Sequence, residues 1–247
     1  MNPFKKEKKQ LSIFITAGFP TLESTADQLL TLQKSGVDFI ELGIPFSDPM
    51  ADGPVIQESS SVALNNGMQL NLLFEQLKAI KDQLTIPIVL MGYFNPILQY
   101  GLQRFIQKSA SCNIKGFIIP DLSFEIAQAN YADHFNENSI PLIYLITPTT
   151  SNDRIEKITQ HSTKGFIYLV TSNSTTGQNK AVTLDQNRLK EIKEITQEVP
   201  LFLGFGIKNK QDVENAQHIA DGAIIGSEYI RKVNEKSEKE YIASLLS

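Results

Sequence analysis

The chain has 247 residues, 41% of them hydrophobic, and a formal net charge of −4, so it is long enough for one α/β barrel or for two small domains. The acidic balance and the absence of long basic runs argue against a nucleic-acid-binding protein, and no apolar run reaches the roughly 20 residues that cross a membrane. A single cysteine, Cys112, excludes an internal disulfide framework, and we expect a cytoplasmic protein without nucleic-acid or membrane partners.

Short apolar segments alternate with amphipathic segments along the chain. The first strand is predicted at residues 11–18, a helix follows at 21–35, and a strand at 37–42 comes before a second helix at 70–83. Further strands are predicted at 86–91, 116–120, 141–145, 165–170, 201–204 and 222–226, and a charge-rich helix at 228–246 ends the chain. Strands that are apolar on both faces indicate a parallel sheet covered by helices. Eight such units predict a closed (β/α)8 TIM barrel, with residues 1–247 as a single domain.

A doubly wound open sheet is the alternative architecture. That fold places a glycine-rich phosphate turn after its first strand, where this chain has only Thr16-Ala17-Gly18-Phe19-Pro20. The glycine signals come late in the chain instead, and this favours the barrel.

The segment 41–54, ELGIPFSDPMADGP, links the second strand to an acidic, proline-rich loop. Val37, Phe39 and Glu41 share one face of that strand, so a carboxylate ends an apolar row. A solvated glutamate at a strand end is the simplest interpretation. However, the loop adds Asp48 and Asp52, and two carboxylates in different environments can divide the roles of acid and base. Glu41 and Asp52 are therefore candidate catalytic residues.

Three glycine-bearing turns follow the last three strands: Thr175-Thr176-Gly177, Gly204-Phe205-Gly206 and Gly226-Ser227. Barrels commonly bind phosphate there, because glycine lets backbone N–H groups approach an anion and a helix N-terminus adds a favourable dipole. One such turn is more often a mere helix boundary, but three in this order predict a phosphate site.

Other chemistries are disfavoured by what the strand ends lack. No lysine ends a predicted strand, and Lys115 precedes strand four at the wrong end of the barrel, which disfavours a Schiff-base aldolase. The three histidines lie in or beside predicted helices without ligand spacing, so a zinc enzyme is not expected. Asp48, Asp52 and Glu58 could collect Mg²⁺, but we expect no metal and infer acid–base chemistry on a phosphorylated substrate.

The segment 41–54 closely resembles the signature of the tryptophan synthase α chain family. The similarity extends over nearly the whole chain, through Phe14-Ile15-Thr16-Ala17-Gly18, Met91-Gly92-Tyr93-Phe94-Asn95-Pro96, Pro120-Asp121-Leu122 and the three glycine turns. The resemblance implies cleavage of indole-3-glycerol phosphate to indole and glyceraldehyde 3-phosphate. It also implies that indole passes to a β chain in an α2β2 complex. No cofactor is expected in this chain, and pyridoxal phosphate is expected only in the β partner.

The resemblance also implies roles for single residues. Glu41 would protonate the indole ring carbon and handle the glycerol hydroxyl proton, Asp52 would accept a hydrogen bond from the indole N–H, and Tyr168 would complete the catalytic set. The implied indole pocket contains Phe14 and Tyr93, and the implied phosphate site contains Thr176, Gly177, Gly206, Gly226 and Ser227.

The chain departs from the family pattern at three positions: Ser174 replaces a usual glycine, Phe19 a common aspartate and Ser123 a common proline. The first leaves the conformation of the loop after strand six open. Two other functions remain as alternatives: another phosphate-binding barrel enzyme of amino-acid biosynthesis, and a non-catalytic regulatory subunit. Neither explains the acidic loop and the paired carboxylates as directly.

Overall fold

The computed structural model describes residues 2–5, 7–171, 185–204 and 206–246, and its eight parallel strands close into a barrel in the order β1 to β8. The predicted TIM barrel is thus confirmed. The strands are β1 Gln10–Thr16, β2 Phe39–Gly43, β3 Ile88–Met91, β4 Ile114–Ile118, β5 Leu142–Ile146, β6 Ile167–Val170, β7 Leu201–Gly204 and β8 Gly222–Ile225. The helices in the described residues are α1 Ser24–Ser35, α2 Pro54–Asn65, α3 Leu70–Ile80, α4 Phe94–Tyr100, α5 Leu102–Ser111, α6 Phe124–Asn130, α7 Ala132–Glu137, α8 Asn152–His161, α9 Gln186–Ile195, α10 Lys210–Ile219, α11 Ser227–Asn234 and α12 Glu238–Leu246.

Aromatic side chains fill the amino-terminal half of the barrel interior. Phe4 enters from the N-terminal segment, and its ring lies 5.3 Å from Phe39 and 5.1 Å from Phe166. Phe202 packs 5.0 Å from Phe39 and 4.8 Å from Phe166. A larger apolar cluster joins the outside of the barrel to the helices. Because the amino-terminal half is packed with rings, open space within the barrel is left at the carboxyl ends of the strands.

The structure corrects several predicted elements. Residues 55–69 were assigned no element, yet α2 begins at Pro54, where the fixed φ of proline suits a first helical turn. The final predicted helix is two helices, because Lys236 adopts a positive φ of 54° between α11 and α12. Lys115 does not precede β4 but lies inside it, still near its amino-terminal end. The predicted strand boundaries move by one or two residues, except those of β7, which are confirmed.

Candidate active site

A cavity of about 280 Å³ opens at the carboxyl ends of the strands. Its volume is near the lower end of the range of small-molecule sites, roughly 300–1,000 Å³. Of the residues predicted from the sequence, it is lined by Phe14, Glu41, Asp52, Tyr168, Gly206, Gly226 and Ser227. Their positions in the chain span more than two hundred residues, and barrel closure brings them together.

Glu41 lies at the centre of β2, between Phe14 of β1 and Val89 of β3. The residue is fully buried, and neither of its carboxyl oxygens has a hydrogen-bond partner. Loss of hydration disfavours the charged form, and burial raises the pKa of Glu41 from 4.5 to about 8. The interpretation of Glu41 as a solvated strand-end residue is therefore wrong. At neutral pH its carboxyl is mostly protonated, with both oxygens available to a ligand.

Asp52 reaches the cavity from the loop between β2 and α2. The Tyr93 hydroxyl donates a hydrogen bond to Asp52 Oδ2 at 2.9 Å and accepts one from the Ala51 N–H at 2.9 Å. Phe46 stacks on the Tyr93 ring with a centroid distance of 5.1 Å. Burial raises the pKa of Asp52 to about 6, and the Tyr93 hydrogen bond opposes that rise. The two carboxyls thus have pKa values that lie apart, with Asp52 the more acidic.

Tyr93, which the resemblance assigns to the indole pocket, lies behind Asp52 in the structure. It is buried, but it is not among the residues that line the cavity in the described part of the chain. Its hydroxyl is occupied by Asp52 and by the loop backbone. The structure therefore makes Tyr93 a support for Asp52.

Two glycines make room for the aromatic walls of the cavity. A Cβ on Gly204 would overlap the ring and hydroxyl of Tyr168, and a Cβ on Gly43 would overlap the ring of Phe14. Burial raises the pKa of the Tyr168 phenol well above its usual value, and the charges of Glu41 and Asp52 add to the effect. Tyr168 therefore stays a neutral hydroxyl beside the two carboxyls.

The opposite wall has features that suit an anion. Gly206 has a φ of 80°, which favours glycine, and Gly226 is the N-cap of α11, whose first residue is Ser227. Free backbone N–H groups and the positive end of a helix dipole attract anions. Thr176, Gly177 and the variant Ser174 lie outside the described residues.

Seven further residues of the described part of the chain line the cavity, and the sequence does not predict them: Ile56, Met91, Ile207, Lys208, Ile224, Glu228 and Arg231. Ile56 belongs to α2, which was not predicted, while Met91 and Ile224 lie in predicted strands and could have been found from the strand ends. Lys208 follows the glycine turn after β7 and does not lie at a predicted strand end. Glu228 and Arg231 belong to the predicted charge-rich helix, which gives no sign of a place in the cavity wall.

In the described residues, no three His, Cys, Asp or Glu side chains come close enough to hold a metal ion. Asp48 and Glu58 do not join Asp52 at the wall of the cavity. No helix in the same ranges is long and apolar enough to span a membrane. The chemistry that this geometry supports is proton transfer, because a protonated carboxyl and a more acidic carboxyl line the same cavity.

Comparison with known proteins agrees with this geometry. Residues 2–245 match the family model described as "Tryptophan synthase alpha chain". The tryptophan synthase alpha chain of Flavobacterium psychrophilum is 49% identical over 94% of this chain and 91% of its own length. A solved alpha subunit from Legionella pneumophila str. Paris is 33% identical, with a TM-score of 0.85 over 99% of this chain and 97% of that one. Tryptophan synthase from M. tuberculosis gives a TM-score of 0.84 at 26% identity, over 96% of this chain and 91% of that one.

Proposed function

The chain belongs to the tryptophan synthase alpha chain family, and on that premise we propose how its residues carry out the reaction of the family. That reaction is the retro-aldol cleavage of indole-3-glycerol phosphate to indole and glyceraldehyde 3-phosphate, a carbon–carbon lyase step of tryptophan biosynthesis. We propose further that residues 1–247 act as one domain, because the described strands all belong to one closed barrel.

Glu41 is the proposed acid–base residue, and its burial without hydrogen-bond partners is the observation that carries the proposal. Its protonated carboxyl gives a proton to the indole ring carbon at the scissile bond. As that bond breaks, its electron pair returns to the ring, and the glycerol hydroxyl becomes the aldehyde of glyceraldehyde 3-phosphate. The hydroxyl proton returns to Glu41. A pKa of about 8 lies close to neutral pH, where a general acid that must also accept a proton is most effective.

Asp52 is proposed to accept a hydrogen bond from the indole N–H and so to stabilise the positive charge that develops on the protonated ring. Its pKa of about 6 keeps it mostly ionised at neutral pH. The Tyr93 hydroxyl holds one oxygen of Asp52 and leaves the other for the substrate. Tyr168, a neutral hydroxyl in the same cavity, contacts the glycerol part in this proposal, and Phe14 packs against the indole ring.

The phosphate group is proposed to lie against Gly206, Gly226 and Ser227, where glycine backbone and the start of α11 line the cavity. Thr176 and Gly177 complete this site in the proposal on the basis of the family resemblance. The substrate then spans the cavity, with its indole ring near Asp52 and its phosphate at the late strands.

The proposed partner is a tryptophan synthase β chain that carries pyridoxal phosphate, in an α2β2 complex of the cytoplasm that receives the indole. Met50, Leu98 and Ile126 support this proposal: they are 89%, 43% and 52% exposed, and they follow the neighbouring strands β2, β3 and β4. Exposed large apolar side chains can mark a protein contact.

The sequence predicts that Pro45, Phe46, Pro49 and Met50 project from the loop after β2 as a contact surface. In the structure Pro45 and Pro49 are buried and Phe46 stacks on Tyr93, while Met50 is the large hydrophobic side chain of that loop that is exposed. The proposed contact surface is therefore shared among three successive segments and is not confined to one loop.

The test of the catalytic assignment is indole release from indole-3-glycerol phosphate by the parent and by Glu41→Gln. An amide keeps the shape of the carboxyl but cannot transfer the proton, so we expect a loss of at least about 10²-fold. Glu58→Gln, which neutralises a nearby exposed carboxylate of α2, is the matched control and should keep the parental rate. A Glu41→Gln rate within about threefold of the parent would exclude Glu41 as the acid–base residue. A parent without turnover, alone or with a β chain, would favour the non-catalytic alternative.

A further inference from the structure

Two basic side chains line the anion end of the cavity: Lys208, just beyond β7, and Arg231 of α11. Arg231 is not a free charge, because its Nη1 lies 2.9 Å from Glu228 Oε2 and Glu228 lines the same cavity. Lys232 also lies 3.7 Å from Glu228, but its closer carboxylate partner is Glu235, at 2.8 Å. The charge of Arg231 is therefore largely balanced before any ligand binds.

Lys208 differs from Arg231 in this respect. Among the described residues, no carboxylate lies within ion-pair distance of its ammonium group, and its side chain is exposed at the cavity wall. Its backbone, in contrast, is held from two helices. Its N–H donates to Asp212 Oδ2 of α10 at 2.9 Å, and its carbonyl accepts from the Tyr241 hydroxyl of α12 at 2.9 Å.

Asp212 is itself fixed at the start of α10. Its backbone N–H donates to Asn209 Oδ1 at 3.0 Å, and the Asp212 carboxylate accepts from the Asn209 N–H at 3.3 Å in a capping box. The main chain of Lys208 is thus anchored at a fixed place on the wall, while its ammonium group has no carboxylate partner in the described part of the chain.

A phosphate monoester brings close to two negative charges into a cavity whose described wall already carries three carboxyl groups, those of Glu41, Asp52 and Glu228. Backbone N–H groups and a helix dipole supply partial charges only. With Arg231 balanced by Glu228, Lys208 is the full positive charge on the described wall that remains for the ligand.

We propose that the Lys208 ammonium group is a side-chain anchor for the phosphate of the substrate and sets the preference of this enzyme for phosphorylated over unphosphorylated ligands. The identity of the substrate rests on the proposed function, whereas the contact between Lys208 and a phosphate does not. Because the phosphate is remote from the scissile bond, the contact is equally strong in the ground and transition states and acts on KM more than on kcat.

The experiment compares the parent with Lys208→Ala, Lys208→Arg and Lys34→Ala. Lys34 is an exposed lysine of α1 that does not line the cavity, and its replacement removes the same charge. Steady-state kinetics give KM and kcat for indole-3-glycerol phosphate, and titration gives the Kd of inorganic phosphate. The inhibition constant of 3-indolepropanol reports on a ligand that has the indole ring but no phosphate.

For Lys208→Ala we expect KM and the phosphate Kd to rise by about tenfold, with kcat within about twofold of the parent, as for one charge-assisted contact at a partly exposed site. The effect should shrink at 0.5 M salt, because screening weakens the attraction. Lys208→Arg should restore KM to within about threefold, and Lys34→Ala should match the parent. The inhibition constant of 3-indolepropanol should not change in any variant.

Two results would overturn the proposal. Equal KM and phosphate Kd in Lys208→Ala and Lys34→Ala would show that Lys208 makes no contact with the phosphate. Equal weakening of phosphate and 3-indolepropanol would show a general disturbance of the cavity. If the parent does not cleave indole-3-glycerol phosphate, the proposed function fails, while the phosphate titration still decides the role of Lys208.

Discussion

Replacing Glu41 with glutamine should make the protein more stable than the parent, and the difference should grow as the pH rises. The folded state holds the Glu41 carboxyl in a fully buried position without hydrogen-bond partners, which raises its pKa from 4.5 to about 8. A carboxyl with a higher pKa in the folded state binds more protons when folded. The free energy of unfolding therefore falls as the pH rises from about 4.5 to about 8. Glutamine carries no charge at any of these pH values, so the variant avoids this loss.

The magnitude follows from the difference of about 3.5 pH units, at about 1.36 kcal/mol for each unit. Below pH 4.5 both chains bury a neutral group and should differ by less than about 1 kcal/mol. Glu41→Gln should be more stable than the parent by about 3 kcal/mol at pH 7 and by about 4 kcal/mol at pH 8. For a chain of this length, 3 kcal/mol corresponds to a rise in Tm of roughly 6–12 °C.

Urea unfolding of both chains at half-unit steps from pH 4.5 to pH 8.5 measures this difference. Because every other ionisable group is common to the two chains, subtraction isolates the contribution of Glu41. Glu58→Gln, which replaces an exposed carboxylate, is the control for the loss of a carboxylate elsewhere. A flat difference for Glu41→Gln would show that Glu41 is ionised at little cost in the folded protein, and the proposed acid would lose its physical basis.

Three further outcomes follow from the geometry. The kcat/KM of the parent should be bell-shaped in pH, falling below about pH 6 as Asp52 takes up a proton and above about pH 8 as Glu41 loses one. The fall at low pH should be absent in Asp52→Asn, and its persistence there would assign that titration to another group. Gly204→Ala should lower the free energy of unfolding by about 1–3 kcal/mol and lower turnover, because the new methyl group overlaps Tyr168. Calorimetry and the indole assay measure these effects, and a fully active variant would contradict the assigned place of Tyr168. Met50→Asp should leave the rate of the isolated chain unchanged but weaken the acceleration of that rate by a β chain. Indole release measured over a titration with the β chain tests this, and unchanged acceleration would exclude Met50 from the interface.

The sequence by itself determined the barrel and half of the described residues that line the candidate site. Strand and helix patterns are local, since side-chain alternation and helical periodicity depend on neighbouring residues, and eight strand–helix units could be counted without a structure. The late glycine turns could also be predicted, because chain order fixes which strands adjoin in a barrel. Local boundaries remained uncertain: α2 was missed after a proline that reads equally well as part of a loop.

The tertiary structure alone decided the environment of each functional group. The pKa of Glu41 depends on desolvation by strands from the whole barrel, which no segment of sequence contains. The hydrogen bond between Tyr93 and Asp52 joins segments that follow different strands, and the sequence pattern does not predict it. The pair between Arg231 and Glu228 is a local contact of one helix, but only the fold brings that helix to the cavity wall beside Lys208. Residue types and strand order follow from local chemistry, whereas burial and charge balance are properties of the closed barrel.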